Sequence, residues 1–300
     1  CKISTSIKNR SKIRKAKLMK KTAKILIITL ISFGAYFLID ETYFKEIRKW
    51  FHGLINQWGI SHIMAYLIVG LPIFVGILIL HKKDKFFFSV GLNKSLFLKG
   101  IVYSLLCTLP MFIGYALLFD FNTAFSLNSF LVTVIAAALF EELYYRGFLF
   151  GQLYRNTNLG FIPSVLIGAI LFGLMHLYQG TELNETIGIF IITFLGSVLY
   201  AWVYVEWNYN LWIPIFLHLF MNLSWGLFSA AENALGGKYA NIFRLITIFL
   251  IIGLTIVYKI KNNLDFKINK RTLLKKTAFD KGHCCTTPSN SKNSKISDPV

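Results

Sequence analysis

The sequence predicts an all-α membrane protein: a polytopic bundle of about eight transmembrane helices with both termini in the cytoplasm. Its 300 residues are 55% hydrophobic and 15% charged, with a mean hydropathy of +0.56, too apolar for an ordinary soluble domain. Eight apolar runs each approach the ~20 residues that cross a hydrocarbon core. The loops between them alternate in Lys and Arg content, as an even number of crossings requires.

The predicted segments follow one another along the chain. Residues 1–24 form a basic arm with ten Lys and Arg and no acidic residue, and we expect this arm to be disordered. Residues 25–260 form the transmembrane domain, and the basic and polar tail 261–300 is again expected to be disordered. The predicted spans cover about 25–39, 61–80, 100–119, 127–150, 161–178, 186–205, 211–230 and 240–260. The mixed, aromatic segment Glu41–Gln57 is typical of an interfacial helix.

The charges of the loops set the predicted orientation. Residues 81–99 carry five Lys against Asp84, and Arg155 lies in a later loop on the same predicted side. We therefore place these loops and both termini in the cytoplasm, with the chain in the plasma (inner) membrane. The loop 206–210 has Glu206 and no basic residue, so its cytoplasmic placement rests on alternation alone.

The formal net charge of +18 does not indicate nucleic-acid binding. The basic residues collect in the ends and in particular loops, and no nucleic-acid motif or aromatic-interleaved basic surface accompanies them. Juxtamembrane basic segments of this kind orient a protein in the bilayer and contact anionic lipid. The lipid bilayer is therefore a predicted partner, and nucleic acid is not.

The paired carboxylates of Glu141 and Glu142 and the guanidinium of Arg146 lie inside an apolar span. Ionisable groups at that depth are costly, face a bundle interior or a cavity, and mark function. Glu142 and Arg146 are spaced i, i+4 with the acid first, which favours an ion pair between them. Adjacent residues on an α-helix point ~100° apart, so Glu141 is left free as the better candidate for a general base.

Two later segments supply matching polar side chains. Phe172 and His176 are spaced i, i+4, and so are His218 and Asn222, so each pair shares one face of its helix. The fourth and fifth spans form a hairpin whose turn centres near Asn158. Glu141 and His176 lie almost equally far from that turn, which predicts that they meet at one depth. We expect the three segments to converge on one intramembrane site.

The four cysteines, Cys1, Cys107, Cys284 and Cys285, show neither the spacing of zinc ligands nor that of a disulfide framework. His283 beside Cys284 supplies too few ligands for a metal site. Glu141, His176 and His218 could supply three ligands to a catalytic zinc, but no His-Glu-x-x-His motif is present. We expect no obligatory cofactor, and zinc stays open.

These motifs resemble the CAAX-processing and bacteriocin-processing (CPBP, or Abi) family of glutamate-type intramembrane endopeptidases. The resemblance is carried by Glu-Glu-x-x-x-Arg at 141–146, Phe-x-x-x-His at 172–176 and His-x-x-x-Asn at 218–222. It makes residues 25–260 a protease domain, with a motif core at about 125–230.

The resemblance implies an eight-span fold and cleavage of a peptide bond in a membrane-associated or lipidated peptide or protein. It implies that Glu141 with His176 activates water and that His218 and Asn222 stabilise the oxyanion. Glu142, Arg146 and Phe172 would support them.

Two other functions compete with the peptidase. A catalytically silent relative could act as a membrane immunity or scaffold protein that binds a peptide, although binding alone does not need the complete polar set. A proton- or ion-coupled transporter could use the same groups as a relay, but no internal repeat indicates one.

Each polar group also has a purely structural interpretation. Glu141, Glu142 and Arg146 could lock two helices, His176 could be a core histidine, and Asn222 could join helices. Glu206 and Glu232 are interpreted as residues of interfacial loops.

Overall fold

The computed structural model of the protein describes residues 2–276, with side chains from residue 19 onward, and this part of the chain contains helices and no strand. The helices are α1 (Lys2–Ile55), α2 (Trp58–Val69), α3 (Leu71–Leu80), α4 (Phe86–Val90), α5 (Phe97–Leu118), α6 (Leu127–Asn156), α7 (Phe161–Leu174), α8 (Leu183–Glu206), α9 (Trp212–Leu227) and α10 (Lys238–Lys261). Short 3-10 turns lie at Lys83–Lys85, Lys94–Leu96 and Leu177–Gln179.

The predicted fold class, an all-α polytopic membrane protein, is confirmed. Within the described residues, six helices are long and apolar enough to cross a membrane, and α2 with α3, bent by 43°, makes a seventh candidate. The seventh predicted span, near 211–230, falls on α9, which has 16 residues and is shorter than an ordinary crossing. The count of eight and the cytoplasmic termini therefore stay predictions.

Helix α1 differs from its prediction at both ends. It is one helix of 54 residues, so the separate interfacial helix expected at Glu41–Gln57 is the continuation of the first span. The helix ends where Asn56 takes a positive φ of 53°, and Gln57 then caps α2 by accepting a hydrogen bond from the Ile60 amide. The backbone of the predicted arm is also helical, from Lys2 onward.

Helix α6 is π-helical over its central part, Phe130–Phe150. Its hydrogen bonds join residue i to i+5, so each turn is wider than in an α-helix and successive side chains are less far apart around the axis. The ~100° separation expected between Glu141 and Glu142 therefore does not apply. π-helical geometry occurs frequently at functional sites.

The bend between α2 and α3 depends on Gly70, which touches the core of the bundle. A Cβ at Gly70 would clash with the Tyr144 hydroxyl oxygen, so a side chain there would displace the tyrosine. The Tyr144 hydroxyl donates to the Tyr66 carbonyl oxygen at 2.8 Å, close to the bend. The bend and α6 are thus fixed to each other, next to the paired carboxylates.

The connections between the helices form two opposite ends of the bundle. The basic end consists of residues 81–96, 157–160, 207–211 and 262–276, and hydrogen bonds join these segments. The Leu211 amide donates to the Gly91 carbonyl oxygen at 3.0 Å, and the Phe161 amide donates to that of Thr272 at 2.9 Å.

The loop end consists of residues 56–57, 119–126, 175–182 and 228–237. Here the Asn122 amide donates to the Leu227 carbonyl oxygen at 2.8 Å, and the Ala234 amide donates to Gln179 Oε1 at 2.9 Å.

Glu206 is not a loop residue at a surface but a buried anchor of the basic end. Its carboxylate lies 2.5 Å from Lys259 Nζ and accepts hydrogen bonds from the amides of Lys267 and Ile268. Residues 262–276 consequently pack against the bundle, where the sequence predicts a disordered tail. Residues 277–300, including His283, Cys284 and Cys285, lie outside the described part.

We expect Lys259→Met to destabilise the protein by about 3 kcal/mol, because it leaves the buried Glu206 carboxylate without its cation. The purified protein in detergent is heated to a series of temperatures, and size-exclusion chromatography of the remaining folded fraction measures the change in stability. Lys261→Met removes a neighbouring lysine that is exposed, and it should leave the midpoint of thermal unfolding unchanged. Equal midpoints for both variants would contradict the anchoring role.

Candidate active site

A cavity of about 570 Å³ is lined by residues of α2 and of α5 to α10, and it brings the three predicted segments together. Six of the predicted residues line it: Glu141, Arg146, Phe172, His176, His218 and Asn222. Glu142 lies behind this wall and is completely buried. The expected convergence of the motifs is therefore present in the structure, whereas the catalytic roles of the residues stay predictions.

The Glu142 carboxylate joins two helices at the inner wall of the cavity. Its Oε1 atom accepts from Arg146 Nη1 at 3.1 Å and from His218 Nδ1 at 2.9 Å. A carboxylate that accepts both bonds requires the hydrogen of His218 to be on Nδ1. The Glu142–Arg146 ion pair predicted from the i, i+4 spacing is present, and it also sets the orientation of the His218 ring.

Glu141 is the carboxylate that the ion pair leaves free. Its side chain is 20% exposed, and its Oε2 atom lies 4.0 Å from His218 Nε2 and has no hydrogen-bond partner. His218, rather than His176, is therefore the imidazole next to Glu141. Within the described residues no hydrogen bond or ion pair joins Glu141 to His176, which lies elsewhere on the cavity wall.

His176 lies just beyond the last α-helical residue of α7 and before the 3-10 turn Leu177–Gln179, within the candidate span Phe161–Gln179. Its Nδ1 is 2.7 Å from the Phe172 carbonyl oxygen. Since a carbonyl only accepts, Nδ1 carries the hydrogen and Nε2 remains available. The Phe172 ring lies between this imidazole, at 4.6 Å, and the Arg146 guanidinium, at 4.3 Å, where a cation–π contact forms.

Asn222 connects α9 to the π-helical part of α6. Its Nδ2 donates to the Thr133 carbonyl oxygen at 2.8 Å. An amide nitrogen carries two hydrogens, so one remains for another acceptor in the cavity that Asn222 lines. Asn222 therefore joins two helices and also lies on the cavity wall.

Arg244 is a cavity residue that the sequence analysis missed. It is 8% exposed, and its guanidinium donates to the carbonyl oxygens of Ala234 and Leu235 at 2.7 and 2.6 Å and stacks over Trp225. No ion pair with an acidic side chain is present for it in the described structure. The signal was available, because Arg244 is the single charged residue between Lys238 and Lys259 in an apolar span.

Two further side chains near the carboxylates were also missed. Asp40 of α1 is close enough to Glu141 for their negative charges to repel each other, and its Oδ1 atom is buried without a hydrogen bond. The ring of Tyr200 lies 6.0 Å from that of His218 and 5.6 Å from the Arg146 guanidinium. Asp40 could have been found as an acidic residue at the end of an apolar run.

A preformed metal centre is not part of this arrangement. In the described residues, no three His, Cys, Asp or Glu side chains are grouped closely enough to hold a metal ion. Glu141, His176 and His218, the possible zinc ligands named from the sequence, share the cavity without forming such a group.

The sequence matches a family profile over the part of the chain that contains the candidate site. The sequence profile of a family described as "Type II CAAX prenyl endopeptidase Rce1-like" matches residues 123–224, which include all seven predicted site residues. The protein named "Putative membrane peptidase YdiL" of Bacillus subtilis (strain 168) is 33% identical over 92 residues. That alignment covers 31% of this chain and 33% of the relative, so the chain spans about a third of the relative's length. No solved structure matches the chain.

We expect Arg146→Met to destabilise the protein by about 3 kcal/mol, because the buried Glu142 then loses its cation. The fraction of the variant that elutes as a folded monodisperse species after extraction measures this loss. The double variant Glu142→Gln/Arg146→Met removes both charges and should recover much of the folded fraction. A single variant that behaves like the wild type would contradict the ion-pair account.

Proposed function

We propose that the protein is an intramembrane endopeptidase, and the match of its residues 123–224 to a family of CAAX prenyl endopeptidases supports the proposal. It hydrolyses a peptide bond in a membrane-associated or lipidated peptide or protein. The observation that carries the proposal is the free Glu141 carboxylate, which lies beside His218 in a cavity walled by apolar helices. A carboxylate without a hydrogen-bond partner at such a depth is available to take a proton.

In the proposed reaction Glu141, with His176 on the same cavity wall, holds and deprotonates a water molecule. The oxygen of that water attacks the carbonyl carbon of the scissile peptide, and the carbonyl oxygen becomes an oxyanion. The C–N bond then breaks as the leaving nitrogen receives the proton held by Glu141. The products are a new carboxylic acid and a new amine, and no further reactant is needed.

His218 and Asn222 are the proposed donors to the oxyanion. His218 Nδ1 is occupied by Glu142, so the ring donates from Nε2 once it is protonated there as well. Asn222 contributes the amide hydrogen that Thr133 leaves free.

The first test compares the membrane and secreted peptides of cells that express the wild type or Glu141→Gln. The amide cannot take a proton from water, so we expect a peptide that shortens only with the wild type. Mass spectrometry of both fractions, with immunoblots that show equal protein levels, measures the difference.

Glu182→Gln is the matched control, because Glu182 is an exposed acid outside the cavity wall. Identical peptide profiles for wild type and Glu141→Gln at equal protein levels would favour a peptide-binding immunity or scaffold protein instead.

We expect alanine substitutions of His218 and His176 to destabilise the protein to different extents, although both variants should lose cleavage. His218→Ala removes a hydrogen bond to the buried Glu142 carboxylate and should destabilise the protein by about 1.5–3 kcal/mol. His176→Ala removes a bond to a backbone carbonyl in a half-buried position and should shift the thermal midpoint much less. Thermal unfolding of the two variants, with the peptide comparison alongside, distinguishes them. The opposite order of midpoints would contradict the assigned contacts.

A further inference from the structure

The lining of the cavity reaches the loop end of the bundle and not the basic end. Its lining includes residues of the loop end, among them Tyr178, Glu232 and Asn233, and Tyr178 is 83% exposed. The opposite wall is formed by Arg146, which is 2% exposed. Within the described structure, none of the segments that make up the basic end contributes a lining residue. A substrate that enters along the bundle axis therefore arrives from the loop end.

The two ends differ sharply in basic residues. Segments 81–96 and 262–276 of the basic end hold nine Lys and Arg. At the loop end, the last part of α1 with the turn that follows it (41–57), the loops 119–126 and 175–182, and the loop 228–237 with the first residue of α10 hold four. An excess of Lys and Arg in short segments next to the membrane marks the cytoplasmic side. The basic end is therefore assigned to the cytoplasm.

The N-terminal part of α1 gives the same orientation. Lys21 and Lys24 line a small depression together with His81 of the basic end and Asn156, the last residue of α6 before the basic end. Ten Lys and Arg precede residue 25 without an acidic residue, so this strongly basic segment adds to the same side. The loop end, with the cavity mouth, is consequently the non-cytoplasmic end.

We propose that the active-site cavity opens on the non-cytoplasmic face of the membrane, and that the substrate is a peptide segment presented there. This proposal rests on the proposed peptidase function and specifies its substrate class. Such a segment belongs to an exported or membrane-inserted peptide and not to a protein that is lipidated and retained in the cytoplasm. The mouth residue Glu232 is exposed, so an extended peptide can reach the wall past it without a large opening of the bundle.

Cysteine labelling in intact cells tests the orientation without any substrate. In a variant whose four cysteines are replaced by serine, Glu232→Cys and Tyr178→Cys each place one thiol at the mouth, and Lys83→Cys places one at the basic end. A membrane-impermeant maleimide should label both mouth variants in intact cells, and Lys83→Cys only after permeabilisation. The reverse pattern would overturn the proposal.

The same reagent tests the route of the substrate. A bulky impermeant maleimide on Tyr178→Cys should stop the peptide shortening seen in untreated cells of that variant. Continued shortening after complete labelling would overturn the proposed route. If peptide profiles do not differ between wild type and Glu141→Gln, the peptidase function fails, while the labelling pattern still decides the orientation.

Discussion

The site depends on the Glu142 carboxylate, which is shared by the Arg146 guanidinium and the His218 imidazole. Glu142 is fully buried, and one of its oxygens accepts from both Arg146 on its own helix and His218 on α9. A buried carboxylate is tolerated in an apolar bundle only when it is neutralised and hydrogen-bonded. This arrangement joins α6 to α9, fixes the tautomer of His218, and leaves Glu141 unpaired beside it. Among the described residues, Arg146 is bonded to Glu142 and not to Glu141, so the Glu141 Oε2 atom is left without a hydrogen bond.

The chemical composition of this site could be predicted from the sequence, because ionisable residues are rare in apolar spans and each one stands out. Glu141, Glu142, Arg146, His176 and His218 were found for that reason, and the i, i+4 spacing gave the Glu142–Arg146 pair. The helical segments were predictable for a similar reason, since apolar length alone defines them. The candidate site therefore contains the residues that the motifs indicated.

The lateral neighbours could not be predicted, because spacing along one helix does not say which side chain of another helix lies beside it. Equal depth suggested that His176 meets Glu141, whereas the π-helical geometry of α6 and the position of α9 put His218 there. Glu206 was taken for a loop residue, since its partner Lys259 is distant in sequence and reaches it through the packing of α10. Arg244 has no acidic residue three or four positions away in its helix, so spacing along the helix predicts no ion pair for it.

Hydrolysis by water at Glu141 is the central claim, and the incorporation of solvent oxygen tests it most directly. The purified protein in liposomes is incubated with peptides extracted from membranes of cells expressing Glu141→Gln, in water enriched in the heavy isotope of oxygen. We predict that the wild type produces a shortened peptide whose new carboxyl group carries one heavy oxygen, and that Glu141→Gln produces none. An equal amount of labelled product from Glu141→Gln, or no product from the wild type, would contradict the account.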